Sequence, residues 1–422
     1  MKRKIVSFTS MMIITALFIG VVSCKKDEEK TTFNLTSLKS GSIDMNGATA
    51  PDNIPAEPTI VATFNLDVKA STANDNNITI TRNYDNAAIP LTITVSGASI
   101  TIVPDENLGN GALFELKMTG IQSADDQSLT AITRSFTTEG TFVPAGQIAF
   151  WNFDDNVNDQ VGSFNPSADG IVDLTYENSF TTDAGKCGFF NGTTTIVEIP
   201  NGDQLTNTAD FTLAFWVKTK SEGHVNENGD PKGHFVLGLG AFHGFQFEIQ
   251  GSYTECKLAA MYELDNGTTA SQDLWFNGSG EYNANGGYVG WTFCKDLTSS
   301  GGVEALLKDT WAHVVCTYNG ATKIGTMYIN GEKMKEQDFN LYDNQMANAV
   351  GLKWDGDGVE VVNELALGFI QSRAGTLWDN ESWGGYDFPT ANHFGGWLDN
   401  MRVFHKALTA QEVDLMYSSE KP

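Results

Sequence analysis

The chain has 422 residues, a formal net charge of −26 and 41% hydrophobic residues, enough for two or three domains with buried cores. Its acidic balance repels phosphate backbones and excludes nucleic acid as a partner. It suits neutral sugars and divalent cations better than anionic polymers, although solubility alone explains most of the acidity.

Lys2, Arg3 and Lys4 precede a mostly apolar stretch that ends in Val21, Val22, Ser23 and Cys24, and the polar run KKDEEK follows at 25–30. A basic start, an apolar run and a small residue before a cut make a secretory signal over residues 1–23. The pattern resembles the bacterial lipoprotein signal, which implies lipidation of Cys24. The alternative is an N-terminal membrane helix, against which Ser7, Thr9, Ser10 and Thr15 dilute the run. Lys25 rather than Asp after the cysteine resembles Gram-negative lipoproteins released to the outer membrane. The acidic residues just beyond resemble the surface-export signal of outer-membrane glycan-using lipoproteins. The expectation is an outer-membrane, lipid-anchored, surface-exposed protein whose membrane contact is the anchor. Residues 24–35 are a tether too polar to pack.

From residue 36 the periodicity is strand-like. TIVATF (59–64), NITIT (77–81), PLTITV (90–95), ASITIV (98–103), ALFELKM (112–118) and TAITRSF (130–136) are short runs rich in Val, Ile and Thr, separated by polar turns. About seven strands in some hundred residues predicts a β-sandwich. The early IVATFN core, the segment ITIVPDENLGNGALFELKMTG, the turn at Asp125, Asp126 and Gln127 and a closing FTT strand resemble the bacterial Ig-like domain of surface proteins, over residues 36–139. Such domains are mostly spacers.

Residues 140–146, GTFVPAG, read as a linker. Beyond them QIAFWNFD (147–154), GFFNG (188–192), DFTLAFWVK (210–218), WAHVVCTY (311–318), TMYING (326–331), GGWLDNMRVF (395–404) and ALTAQEV (407–413) alternate as strands with one buried face. In this order the blocks resemble the laminin-G-like, concanavalin-type jelly roll, over residues 147–422. The predicted fold class is therefore all-β, an Ig-like sandwich followed by a jelly roll of roughly fourteen strands. Asn330-Gly331 is a hairpin turn that needs positive φ. Residues 408–417 form the one convincing helix, capped by Thr409 with Glu412 three residues on. Cys187, Cys256, Cys294 and Cys316 are too irregularly spaced for a metal cluster; outside the cytoplasm they could pair in three ways, and Cys316 suits a buried strand.

Four long inserts, 221–233, 251–309, 332–363 and 371–394, interrupt the jelly-roll blocks, and loops of that length usually bind something. They hold the spare aromatics. Trp378, Trp383 and Tyr386 lie in a Gly-rich, carboxylate-rich stretch with His393 beyond. Trp275, Tyr282, Tyr288 and Trp291 make a second cluster, and Trp354 stands beside Asp355 and Asp357. Aromatic faces stack on sugar rings while nearby Asp, Asn and Glu accept hydroxyl hydrogen bonds. The alternative is that these rings pin the loops as small satellite cores. The best candidate contacts are Trp378, Trp383 and Tyr386, then Trp354, Trp275 and His393.

FDDNVND (153–159) supplies hard oxygen ligands but lacks the EF-hand glycine and terminal Glu. The jelly-roll resemblance implies calcium at one rim, held by Asp154 and Asp399. No Glu-x-Asp-x-x-Glu strand of the laminarinase kind occurs: position 268 after Glu263 and position 341 after Glu336 are not Glu. No Gly-x-Ser-x-Gly elbow appears either. The sequence therefore points to a non-catalytic surface lipoprotein that binds a glycan through the loop-rich face of the jelly roll. The alternatives are an adhesive module with a surface-protein partner and a glycoside hydrolase with loop-borne carboxylates.

Overall fold

The computed structural model describes residues 31–181 and 184–421. The expected signal segment and Cys24 lie outside the described residues. Nearly all regular structure is antiparallel sheet, arranged as two sandwiches in series.

The first is the Ig-like sandwich. One sheet runs Ile43–Asp44, Leu35–Ser40, Ile60–Phe64, Ser99–Pro104, Leu91–Ser96; the other runs Ala88–Ile89, Ile78–Arg82, Leu113–Met118, Ile132–Thr137. Seven of these strands have five or six residues and two are two-residue edges. Alternation buries Ile60, Ala62 and Phe64 on one sheet against Ile78, Ile80, Phe114 and Leu116 on the other.

The second sandwich is the jelly roll. Its larger sheet runs Thr175–Asn178, Lys186–Asn191, Gly395–Phe404, Asp210–Thr219, Ala312–Asn319, Ile324–Ile329, Glu332–Asp338, Trp291–Cys294, with Gln147–Trp151 also paired to Gly395–Phe404. The smaller runs Ile171–Val172, Ile196–Ile199, Leu365–Leu367, His234–Leu239, Phe245–Ile249, Cys256–Leu264, Thr269–Phe276, with Ala349–Leu352 beside Cys256–Leu264. The sheets hold nine and eight strands rather than about fourteen in all, because the supposed inserts 251–309 and 332–363 contribute five of them. Asn330 and Gly331 take φ of 54° and 78° at their hairpin.

The helix Ala410–Glu420 is closed by the expected capping box between Thr409 and Glu412. Val413 and Met416 on this helix join Ala214, Val315, Tyr328 and Phe404, from the outer face of the nine-stranded sheet, in one apolar cluster with the Ig-like core. Phe142 of the linker is buried between them, with its ring 5.2 Å from Tyr84 and its N–H donating to Ser419 Oγ at 3.1 Å. Cys187, Cys256, Cys294 and Cys316 are free and buried. Burial pushes the Cys187 thiol up to about 12 and the Cys256 and Cys316 thiols higher still, so they behave as small hydrophobes.

Candidate functional site

The helix and the Ig-like core cover part of the outer face of the nine-stranded sheet, whereas the outer face of the eight-stranded sheet is covered at one end by the loop 371–394 and partly exposed at the other. Strand period assigns its side chains. Phe245, Phe247, Leu258, Ala260 and Leu274 face the core, which turns Gln246, Glu248, Lys257, Asp273 and Trp275 outward. Register places Phe235, Glu248, Lys257 and Trp275 in one row across four strands, with Gln246, Ala259 and Asp273 in the next. Lys257 Nζ sits 3.2 Å from Glu248 and 3.1 Å from Asp273. Burial raises the Glu248 pKa, against the pull of Lys257. Burial also opposes the Lys257 charge, but the two carboxylates outweigh it and lift its pKa.

Where the edge strand Thr269–Phe276 meets the edge of the other sheet, a cleft of ≈ 390 Å³ opens. Trp275, Trp291, Tyr288, Tyr342, Gln337 and Asp273 are among its walls. Trp291 packs edge-on to Trp275 at 5.4 Å and to Tyr288 at 5.0 Å, and Tyr288 is 64% exposed at the mouth. Trp291 is fixed by pairing opposite Gln337, whose Nε2 donates to Tyr342 Oη at 3.1 Å. Gly290 is required here: at φ 85° a Cβ would stand 2.6 Å from the Tyr342 ring. Lys335 Nζ lies over the Trp291 ring, and burial lowers its pKa to about 7. Trp275 Nε1 and Gln337 Oε1 are buried without a protein hydrogen-bond partner. Unpaired polar atoms of this kind are costly unless something else satisfies them. Flat apolar rings beside the partly exposed Asp273 carboxylate can hold a molecule with apolar faces and hydroxyl edges.

The loop 371–394 lies over the other end of the same sheet. Trp378 and Tyr386 are half-buried against Phe235, Phe369 and Ile370, which makes them part of a satellite core. Tyr386 donates its hydroxyl to Thr194 O, and burial pushes its pKa up to about 12. His393 is buried, stacked 4.4 Å from Phe369 and bonded through Nε2 to Tyr386 O at 2.8 Å; burial holds it near 4. It positions the loop rather than facing solvent. Trp383 is 37% exposed, with its ring 6.0 Å from Phe235 and 5.1 Å from Trp378. Trp354 packs against the main core beside Gly240, away from the cleft. The structure thus brings Trp275 together with Trp291 and Tyr288, and separates them from Trp378, Trp383 and Tyr386. Sequence reasoning missed Glu248, Lys257, Asp273, Gln337 and Tyr342. The alternation within FQFEI, CKLAAMYEL and TASQDLWF was the signal that assigns three of them, Glu248, Lys257 and Asp273.

Asp399 is fully buried, accepts from Ser179 Oγ and lies close enough to Asp154 to be repelled by it. Burial pushes its pKa to about 8. Asp154 Oδ1 accepts the Lys186 N–H at 2.8 Å. Among the described residues no group of three or more His, Cys, Asp or Glu is placed to hold a metal. No described helix is long and apolar enough to cross a membrane.

Residues 43–138 match the model of the bacterial Ig-like domain. No curated protein matches the sequence. Among solved structures, the chain is similar to the receptor-binding domain of botulinum neurotoxin type G at 13% identity and a TM-score of 0.38, over 65% of this chain and 51% of that one. The binding domain of Paraclostridial mosquitocidal protein 1 gives 12% identity and 0.38, over 65% and 52%. The ligand-binding domain of botulinum neurotoxin serotype D, solved with N-acetylneuraminic acid, gives 14% and 0.38, over 65% and 51%. The chain spans about half the length of these domains.

Proposed function

We propose that this chain is a non-catalytic, lipid-anchored surface protein that binds glycans in the cleft between Trp275 and Trp291. The observation that carries the reading is a cleft walled by Trp275, Tyr288, Trp291 and Tyr342 with the Asp273 carboxylate beside them. Stacking on Trp275 and Tyr288 would hold the apolar face of a pyranose, while the partly exposed Asp273 carboxylate accepts its hydroxyls. Lys257 holds both Glu248 and Asp273, which suits these carboxylates to binding better than to proton transfer. The test is a glycan array with the secreted chain and its Trp275→Ala variant. Binding lost in the variant at unchanged thermal stability supports the reading; a blank array favours an adhesive partner.

The anchor belongs to the same proposal. Cys24→Ala should move the protein from the membrane fraction to the soluble extracytoplasmic one, and protease added to whole cells should shave the wild type if it is displayed outside. A calcium ion at Asp154 and Asp399 is also proposed. Its support is a buried carboxylate beside a second one, a repulsion that a hard cation relieves.

A further inference from the structure

We infer that the glycan site does not end at the cleft: an extended oligosaccharide crosses the strands of the eight-stranded sheet from Trp275 to Trp383. This rests on the cleft reading and deepens it. The row Phe235, Glu248, Lys257, Trp275 spans three strand spacings, about 14 Å. An aromatic platform closes each end. Trp275 stands at one, and Trp383, partly exposed and seated on Phe235, at the other.

The floor between them is polar. Glu248, Lys257 and Asp273 are partly exposed, and Gln246 beside them is 6% exposed with its Oε1 unpartnered and its Nε2 donating to Glu248. Two aromatic platforms linked by alternating carboxylate, amine and amide groups match a ribbon-like sugar chain, with apolar ring faces and hydroxyl edges. Lys257 is already engaged by two carboxylates, so the floor leaves no free cation for an anionic chain. The occupant is therefore a neutral chain of gluco- or xylo-configured units, whose equatorial substituents leave the ring faces open for stacking.

The experiment is calorimetric titration of the full chain with cello-, laminari- and xylo-oligosaccharides from dimer to hexamer. In at least one series, affinity should climb by at least about tenfold between dimer and pentamer. Trp383→Ala should abolish the climb and leave dimer affinity unchanged. Equal affinity at all lengths, with Trp383→Ala silent and Trp275→Ala still abolishing dimer binding, overturns the inference and leaves the cleft reading standing. Silence of Trp275→Ala at every length removes both. No binding in any of the three series overturns the proposed sugar class, and a positive array with other glycans then keeps the cleft.

Discussion

At the scale of single residues, burial decides which aromatic and titratable groups are available. Trp275 and Trp378 are both half-buried, but Trp275 borders the cleft and Trp378 packs on the satellite core. Trp378→Ala should therefore lower stability by roughly 2–3 kcal/mol in a urea melt, while Trp275→Ala should cost less and remove ligand. His313 is wholly buried between Trp216 and Tyr417, and neither ring nitrogen has a hydrogen-bond partner. Burial depresses His313 and His393 from 6.5 to about 4. Between those values the unfolded chain binds more protons than the folded one. Stability is then complete above about pH 6.5 and falls as the pH drops toward 4, by roughly 3 kcal/mol per histidine. His313→Phe, which gives up no hydrogen bond, should leave the melting temperature unchanged or higher at pH 7 and flatten this acid loss. A steep loss at pH 7 would show that His313 has a partner. None of this is legible in the sequence, where a histidine in WAHVVCTY gives no sign of what stacks on either side.

At the scale of elements, the sequence is most informative where one face is buried and the other wet. ITIT and IVATF alternate cleanly, and the six Ig-like strands expected fall within a residue or two of their places, but the strand Leu35–Ser40 was not foreseen, and Phe33, assigned to the tether, is buried against Phe64 in the Ig-like core. The helix is equally legible, because Thr409 and Glu412 carry its start locally. Thr409→Ala should cost about 1 kcal/mol, read from denaturant unfolding, because the hydroxyl that accepts the Glu412 N–H is lost while the backbone N–H bonded to the Glu412 carboxylate is kept. The strands Cys256–Leu264 and Thr269–Phe276 were hidden inside a supposed insert. Edge position explains the second: TASQDLWF carries polar residues because one side meets solvent. The clustering of Trp378, Trp383 and Tyr386 in sequence promised a site, yet the loop uses two of the three to fasten itself. Trp275 and Trp291 lie sixteen positions apart in sequence and meet only because two sheet edges converge.

At the scale of the whole molecule, the C-terminal helix joins the two sandwiches. Its inner residues complete a cluster containing the Ig-like core and the outer face of the nine-stranded sheet, with Phe142 between them. The two sandwiches should unfold in one calorimetric transition, and Phe142→Ala should lower it or split it in two. Two well-separated transitions in the wild type would contradict this coupling. Asp399 acts on the same balance with the opposite sign to the histidines. Its pKa is raised from 3.8 to about 8, so the folded chain keeps a proton that the unfolded chain loses. Its contribution is full below about pH 4 and is lost as the pH rises toward 8. If calcium relieves that charge, the calcium-induced rise in melting temperature should grow between pH 5 and pH 8 and vanish in Asp399→Asn.

The most direct test of the central claim is a glycan array read with wild type and Trp275→Ala side by side, both checked for equal melting temperature. The wild type should bind neutral glycans, and the variant should lose that binding. Equal binding by both proteins would place the site away from the cleft and contradict glycan recognition by Trp275.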